Sequence, residues 1–348
     1  MLSRIFKTKH AKITPSVGHN EEDKAEKSSV QSPPLKMRVV SLHTLQRRYG
    51  GQRHPKIDLY DVWKDRGELT VYRHVPPDST MIYISHEWTG TSHPDPDGTQ
   101  MYHLLLLLER LQNGDIHRTD MEFFHSLIYK QNYTTKAKDW KRILNPEKTY
   151  IWYDGFCVPR SRREDGFRSI PSYIRRCDFM IILAPGCTHF DRIDPRTQRK
   201  MNLCYRTYRL RASCVFELFS SFLSTKVEKE KLMPMLLVRS GTGTPNWISA
   251  FTCQSLAVGQ SRFHCCEMNH VTMSCRKCVV TEALLSMIQT RADFLFRAKK
   301  TVEARFTLCC NQWWRRGLGS SQIHTTTKEF QTNILRWQSD IDGEWYVA

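Results

Sequence analysis

The chain has 348 residues, with 52 Lys and Arg against 35 Asp and Glu, a formal net charge of +17, 40% hydrophobic residues and 25% charged residues. Those values exclude a wholly disordered, collagenous or coiled-coil chain, and the length suffices for one large α/β domain or two modest ones. Apolar runs are short, and none approaches the roughly 20 residues that a bilayer demands, so no transmembrane helix is expected.

Residues 1–36 are polar and rich in Lys, Ser and Pro without apolar periodicity, and read as a flexible basic arm. Its first twenty residues include Arg4, Lys7, Lys9 and Lys12 and no acid before Glu21, a weak match to a mitochondrial transit peptide. From Leu69 short apolar runs begin to alternate with longer amphipathic ones. Met81 to Ile84, Tyr150 to Tyr153, Phe179 to Leu183 and Met235 to Val238 are continuously apolar and bounded by Pro, Asp or Gly. Strands of that kind are expected where helices cover both faces of a sheet. The helices predicted between and around them are 99–112, 119–130, 136–144, 170–176 and 206–223. The alternation predicts a three-layer α/β sandwich with a parallel sheet over residues 37–240. Beyond 240 the rhythm weakens: 241–278 is loop-rich and Cys/His-rich, and 279–316 reads as one or two helices. Residues 241–348 are taken as a helical and loop-rich C-terminal extension.

The excess of basic residues is spread along the chain and predicts a solvated basic surface, with no nucleic acid expected as a partner. Twelve cysteines diluted over this length, several in apolar runs and none behind a signal-peptide core, read as buried reduced thiols of an intracellular protein. His264, Cys265, Cys266, His270, Cys275 and Cys278 lie close together, and the last two cysteines have a zinc-knuckle spacing. A second Cys-x-x-Cys or His-x-x-x-His pair is absent, so reduced thiols are the simpler reading, structural zinc stays open and no metal ligand is assigned.

Ligands of open parallel sheets bind beyond the carboxyl ends of the strands. There the sequence places Ser85, His86, Glu87 and Trp88 after the first strand and Asp154 to Arg160 after the second. Trp88 is read as core packing. In the 206–223 helix, Leu210, Cys214, Leu218 and Phe222 recur at four-residue spacing as a buried stripe, and Glu217 falls on its border. A carboxylate there is partly desolvated, with a raised pKa; the alternative is a border acid paired with Arg206 or Arg211.

Several segments carry a resemblance. Ile82 to His86 resembles the opening strand of Toll/interleukin-1 receptor (TIR) domains, and Arg211 to Leu218 (RASCVFEL) resembles their third-helix motif. Ile151 to Arg160 (IWYDGFCVPR) is similar to a block of the TIR-related heterokaryon-incompatibility domains. Ile170 to Ile174 with Cys177 to Leu183 resembles the second-helix and third-strand segment. The resemblance spans roughly residues 80–240. It implies a flavodoxin-like sheet, an intracellular, cytoplasmic role in signalling or defence, and either hydrolysis of nicotinamide adenine dinucleotide (NAD) or non-catalytic assembly with itself or with other TIR-like domains. For an NAD hydrolase it makes Glu217 the catalytic residue. Beside it, Ser85 or His86 would bind ribose or nicotinamide, Asp154 would orient the following loop, and Arg160 and Arg163 would hold the pyrophosphate. NAD would be a substrate, with no resident cofactor. The loop from Gly155 to Ser169 would mediate assembly and gate the pocket.

Overall fold

The computed structural model describes residues 35–224, 232–267, 269–270, 275–309, 314, 316 and 318. Nearly all of the expected N-terminal arm and the last thirty residues lie outside this set. The main sheet has seven strands: β1 (Arg38–Ser41), β2 (Thr70–Val71), β3 (Thr80–His86), β4 (Thr149–Trp152), β5 (Phe179–Leu183), β6 (Met235–Val238) and β7 (Asn246–Ile248), in spatial order β7-β6-β5-β3-β4-β1-β2. The four strands expected from the apolar runs are its parallel centre, β6-β5-β3-β4. The outer strands β7, β1 and β2 pair antiparallel. Every residue of β5 and β6 is buried, as is every residue of β3 except Thr80. Their unbroken apolar runs are the sequence form of a sheet covered on both faces.

The principal helices are α1 (Leu42–Tyr49), α2 (Thr99–Asn113), α3 (Ile170–Arg176), α4 (Ala212–Leu223), α5 (Arg276–Arg297) and α6 (Thr301–Cys309). α2 packs with α1 and the short helix Ala137–Ile143, whereas α4 packs on α3, β3 and α5. The result is a flavodoxin-like three-layer α/β sandwich with a helical C-terminal region. Its main sheet continues past residue 240: β7 belongs to the sheet, and Trp247, Ile248, Cys253, Leu284 and Ile288 share one apolar core with the central strands.

Three expectations are corrected. The 119–130 segment begins with a strand, Arg118–Asp120, paired to Thr134–Lys136, and only Phe123–Tyr129 is helical. Residues 206–223 form two helices, Tyr205–Tyr208 and α4, because Arg211 leaves the helical path to bridge Arg262. Leu210 therefore falls between helices and is exposed, while Cys214, Leu218 and Phe222 are buried as expected. Between β5 and the Tyr205–Tyr208 helix lies an unforeseen antiparallel ribbon, Cys187–Asp194 with Arg199–Leu203.

The parallel strands run in chain order outward from β3 to β4, then cross back to β5 on the other side of β3. The carboxyl ends of β3 and β5 thus mark the point where strand order reverses, the position at which such sheets open a crevice. Ser85 and His86 stand there, opposite Ile182 and Leu183.

Candidate functional site at the reversal point of the sheet

Strand alternation divides the end of β3 into two faces. Tyr83 and Ser85 point towards α4, and His86 points towards α2. Each face builds its own polar group.

On the α4 side, Tyr83 Oη donates to Glu217 Oε1 at 3.1 Å, and Ser85 Oγ donates to Oε2. Ser85 has one hydroxyl hydrogen, so its contact with Tyr208 requires the tyrosine to be the donor. The chain therefore runs Tyr208 to Ser85 to Glu217. Glu217 sits in a helix of which every residue but Ser213 is buried, and it retains 9% exposure. Burial lifts its pKa to about 7, against the lowering effect of the Ser85 and Tyr83 hydroxyls. Neither arginine considered as its partner holds it. Arg211 instead lies 3.9 Å from Glu87, a carboxylate that burial also pushes upward.

On the α2 side, His86 is bound at both nitrogens, Nδ1 to Gln100 Oε1 at 2.8 Å and Nε2 to Asp154 Oδ1 at 3.0 Å. Gln100 uses its amide Nε2 to donate to the Glu87 carbonyl at 2.8 Å, which leaves its oxygen facing the ring. Both ring nitrogens thus meet acceptors, an arrangement that favours the imidazolium, which alone can donate on both sides. The electrostatics agree: burial lowers the His86 pKa, but the Asp154 charge and hydrogen bond outweigh it and the net shift is upward. For Asp154 burial acts upward, and His86, the Trp88 indole and Arg163 together bring the pKa below its ordinary value. Trp88 Nε1 donates to Asp154 Oδ2 at 2.6 Å, and the Arg163 guanidinium lies over the indole ring, 4.4 Å from its centroid. Trp88 is a partly exposed polar clamp as well as a packing residue.

Five of the six expected site residues therefore gather at one end of β3 and β4: Glu217 with Ser85, and His86, Asp154 and Arg163 together. Arg160 stands further out and donates to the Ser92 carbonyl at 3.0 Å. Tyr83, Tyr208 and Gln100 are additional members. Tyr83 was recoverable from sequence because it precedes Ser85 by two residues on the same strand and so shares its face. A hollow of about 500 Å³ lies elsewhere, between α1 and α2, lined by Gln46, Arg53, Tyr102 and Glu109, and holds none of the site residues.

In the C-terminal region Cys265, Cys266, His270 and Cys275 gather, with one donor atom of each within 4.8 Å of the others. Among the described residues no helix is long and apolar enough to cross a membrane. Comparison with protein-family models, with curated proteins and with solved structures returned no match.

Proposed function

We propose that the chain is a TIR-like NAD glycohydrolase that cleaves the nicotinamide–ribose bond and acts in a cytoplasmic setting. The observation that carries the reading is Glu217: a buried carboxylic acid where strand order reverses, oriented by Tyr83 and Ser85, with a pKa of about 7. Its two oxygens accept one protein hydrogen bond each, and an ionised carboxylate has about four acceptor positions, so capacity remains for ribose hydroxyls. Nicotinamide leaves as a neutral molecule with the bonding pair, the ribose becomes oxocarbenium-like, and water adds to its anomeric carbon and loses one proton to solvent. An ionised Glu217 stabilises that positive charge, as glycosidase carboxylates do. Ser85 orients the acid, the His86–Asp154 pair fixes the start of the loop, and Arg163 with Arg160 faces the pyrophosphate. Buried thiols such as Cys157, Cys177, Cys214 and Cys253 suit a reducing compartment.

The test is nicotinamide release from NAD by concentrated purified protein. Wild type should turn over, and Glu217→Ala should not while keeping its circular dichroism spectrum. Absence of turnover in a well-folded, concentrated wild type overturns the enzyme reading.

A second reading, a non-catalytic self-assembly module, is favoured by a different observation. Phe123, Phe124, Leu127 and Ile128 are 61–71% exposed on one short helix, an apolar surface that gains by association. Light scattering decides it. Phe124→Ser with Leu127→Ser should lower the mass of any oligomer, and a wild type that stays monomeric at high concentration removes this reading. Arginines of the Gly155–Ser169 loop are poorer probes of assembly, since Arg162 pairs with Asp165 at 2.8 Å and Arg163 belongs to the Trp88 clamp.

A further inference from the structure

The six Cys and His residues between 264 and 278 do not act alike. His264 is turned aside, its Nδ1 3.0 Å from Arg192 and 3.8 Å from Glu267. Cys278 is exposed on the first turn of α5. The other four converge. Donor atoms of Cys265, Cys266, His270 and Cys275 all lie within 4.8 Å of one another, and the Cys265 and Cys266 sulfurs are 4.0 Å apart.

We propose that Cys265, Cys266, His270 and Cys275 bind one zinc ion in a closed, tetrahedral Cys3His site that is structural. Tetrahedral ligation at ordinary zinc–sulfur and zinc–nitrogen lengths places donors about 3.7 Å apart, so the quartet needs to contract by about 1 Å at most. Three thiolates and an imidazole are soft and borderline donors that favour zinc over magnesium or calcium. Four protein ligands leave no open position, which separates the site from catalytic zinc.

The surroundings fit a charged cluster. Two backbone hydrogen bonds, His270 N to Cys265 O at 2.8 Å and Asn269 N to Cys266 O at 3.1 Å, fold the chain back on itself. Asn269 and His270 both adopt positive φ, 49° and 59°, a left-handed region that asparagine and histidine enter more readily than most residues with a side chain. It is this turn that returns the His270 ring to the two cysteines. The Arg276 amide donates to Cys265 Sγ at 3.4 Å, a bond that a thiolate accepts better than a thiol. Binding exchanges three thiol protons, released to solvent, for one Zn2+, and leaves the cluster with one net negative charge. The Arg276 Nε is buried with no acceptor among the described residues. The same residue opens the 22-residue α5, whose amino-terminal dipole favours negative charge.

Phe263 and Cys265 belong to the core of the α/β body, and Cys275 is the cap of α5, which packs on α4. The ion would therefore pin α5 to the body behind the helix that carries Glu217.

The test uses the full-length chain, purified without a metal-binding tag and dialysed, with zinc measured by plasma mass spectrometry. One zinc per chain is expected, and it should persist in His264→Ala and Cys278→Ser but be lost in His270→Ala and Cys275→Ser. Chelation should lower the melting temperature of wild type and leave Cys275→Ser unmoved. If the ligand variants fail to fold, cobalt exchanged into wild type decides: tetrahedral d–d bands with strong thiolate-to-cobalt charge transfer support the site. A wild type with no stoichiometric zinc and no such cobalt spectrum overturns the proposal. So does a disulfide within the quartet, or equal zinc loss in Cys278→Ser and Cys275→Ser.

Discussion

Ser85 and Glu217, 132 residues apart in the chain, share a buried hydrogen bond in which the serine hydroxyl donates to the carboxylate. The bond joins the end of a central strand to a fully packed helix. An ionised acid there has lost most of its hydration and is compensated by hydroxyl dipoles, with no basic side chain bonded to it. Two opposing effects follow. Burial favours the neutral acid, the hydroxyls favour the anion, and burial wins.

Glu217 should therefore make the protein less stable as pH rises. Its pKa is about 7 in the folded chain against an ordinary 4.5. Below pH 4.5 the acid is protonated whether folded or not, and contributes nothing. Between 4.5 and 7 the unfolded chain ionises first, so stability declines, and above 7 the loss is complete at about 3 kcal/mol. Glu217→Gln should lie within about 1 kcal/mol of wild type near pH 5 and exceed it by about 3 kcal/mol near pH 8.5. Urea denaturation at the two pH values measures this. An equal difference at both would mean that the acid titrates normally.

The His86–Asp154 pair depends on pH on two flanks, declining with rising pH on one, as Glu217 does, and with falling pH on the other. The raised His86 pKa gives stability that is present below the ordinary 6.5 and fades as pH climbs through the folded value. The lowered Asp154 pKa gives stability that is present above the ordinary 3.8 and fades as pH falls through the folded value. The pair is thus worth most between about pH 4 and 6.5. Asp154→Asn removes the acceptor charge from Nε2 and leaves a buried imidazolium without its counter-ion. We expect a loss of about 2 kcal/mol at pH 5.5, since hydrogen bonds to charged groups contribute about that much. The His86 pKa, followed through its ring carbon resonances by nuclear magnetic resonance, should fall. A His86 titration identical in wild type and variant would show that Asp154 does not hold the proton.

The order in which these features became legible has a physical basis. β3, β5 and β6 were readable because a strand covered on both faces has nothing polar to hide, and Phe179 to Leu183 is apolar without interruption. β1 was missed because four residues flanked by Lys36 and by the α1 helix carry too little pattern. The Cys187–Leu203 ribbon was missed because it is largely exposed, with Phe190 and Ile193 facing outwards, so neither periodicity marks it. At the site, the position of Glu217 on its helix was legible, but its partners were not. Helical spacing pointed to Arg211, whereas the helix starts only after that residue and Arg211 turns to Glu87. The quartet of Cys265, Cys266, His270 and Cys275 was half legible. Cys275-x-x-Cys278 suggested a pair, yet the helix beginning at Arg276 carries Cys278 outwards, and the turn at Asn269 and His270 supplies the histidine instead.

Gly98 provides the last prediction, because it fixes where α2, and with it Gln100, begins. Its φ of 69° is left-handed, and a Cβ placed there would stand 2.1 Å from the Pro55 carbonyl oxygen. Two costs add: the side chain disfavours the backbone conformation by roughly 1–2 kcal/mol, and the contact forces either α2 or the Pro55 loop to move. Gly98→Ala should destabilise the chain by about 3 kcal/mol, towards the upper end of ordinary single substitutions. The displacement should also reach the site, because Gln100 lies two residues on and supplies the acceptor that His86 Nδ1 requires. Denaturation and the His86 titration together separate the two effects. A variant of wild-type stability would show that the helix start tolerates a side chain. A destabilised variant with an unchanged His86 pKa would confine the strain to the Pro55 contact.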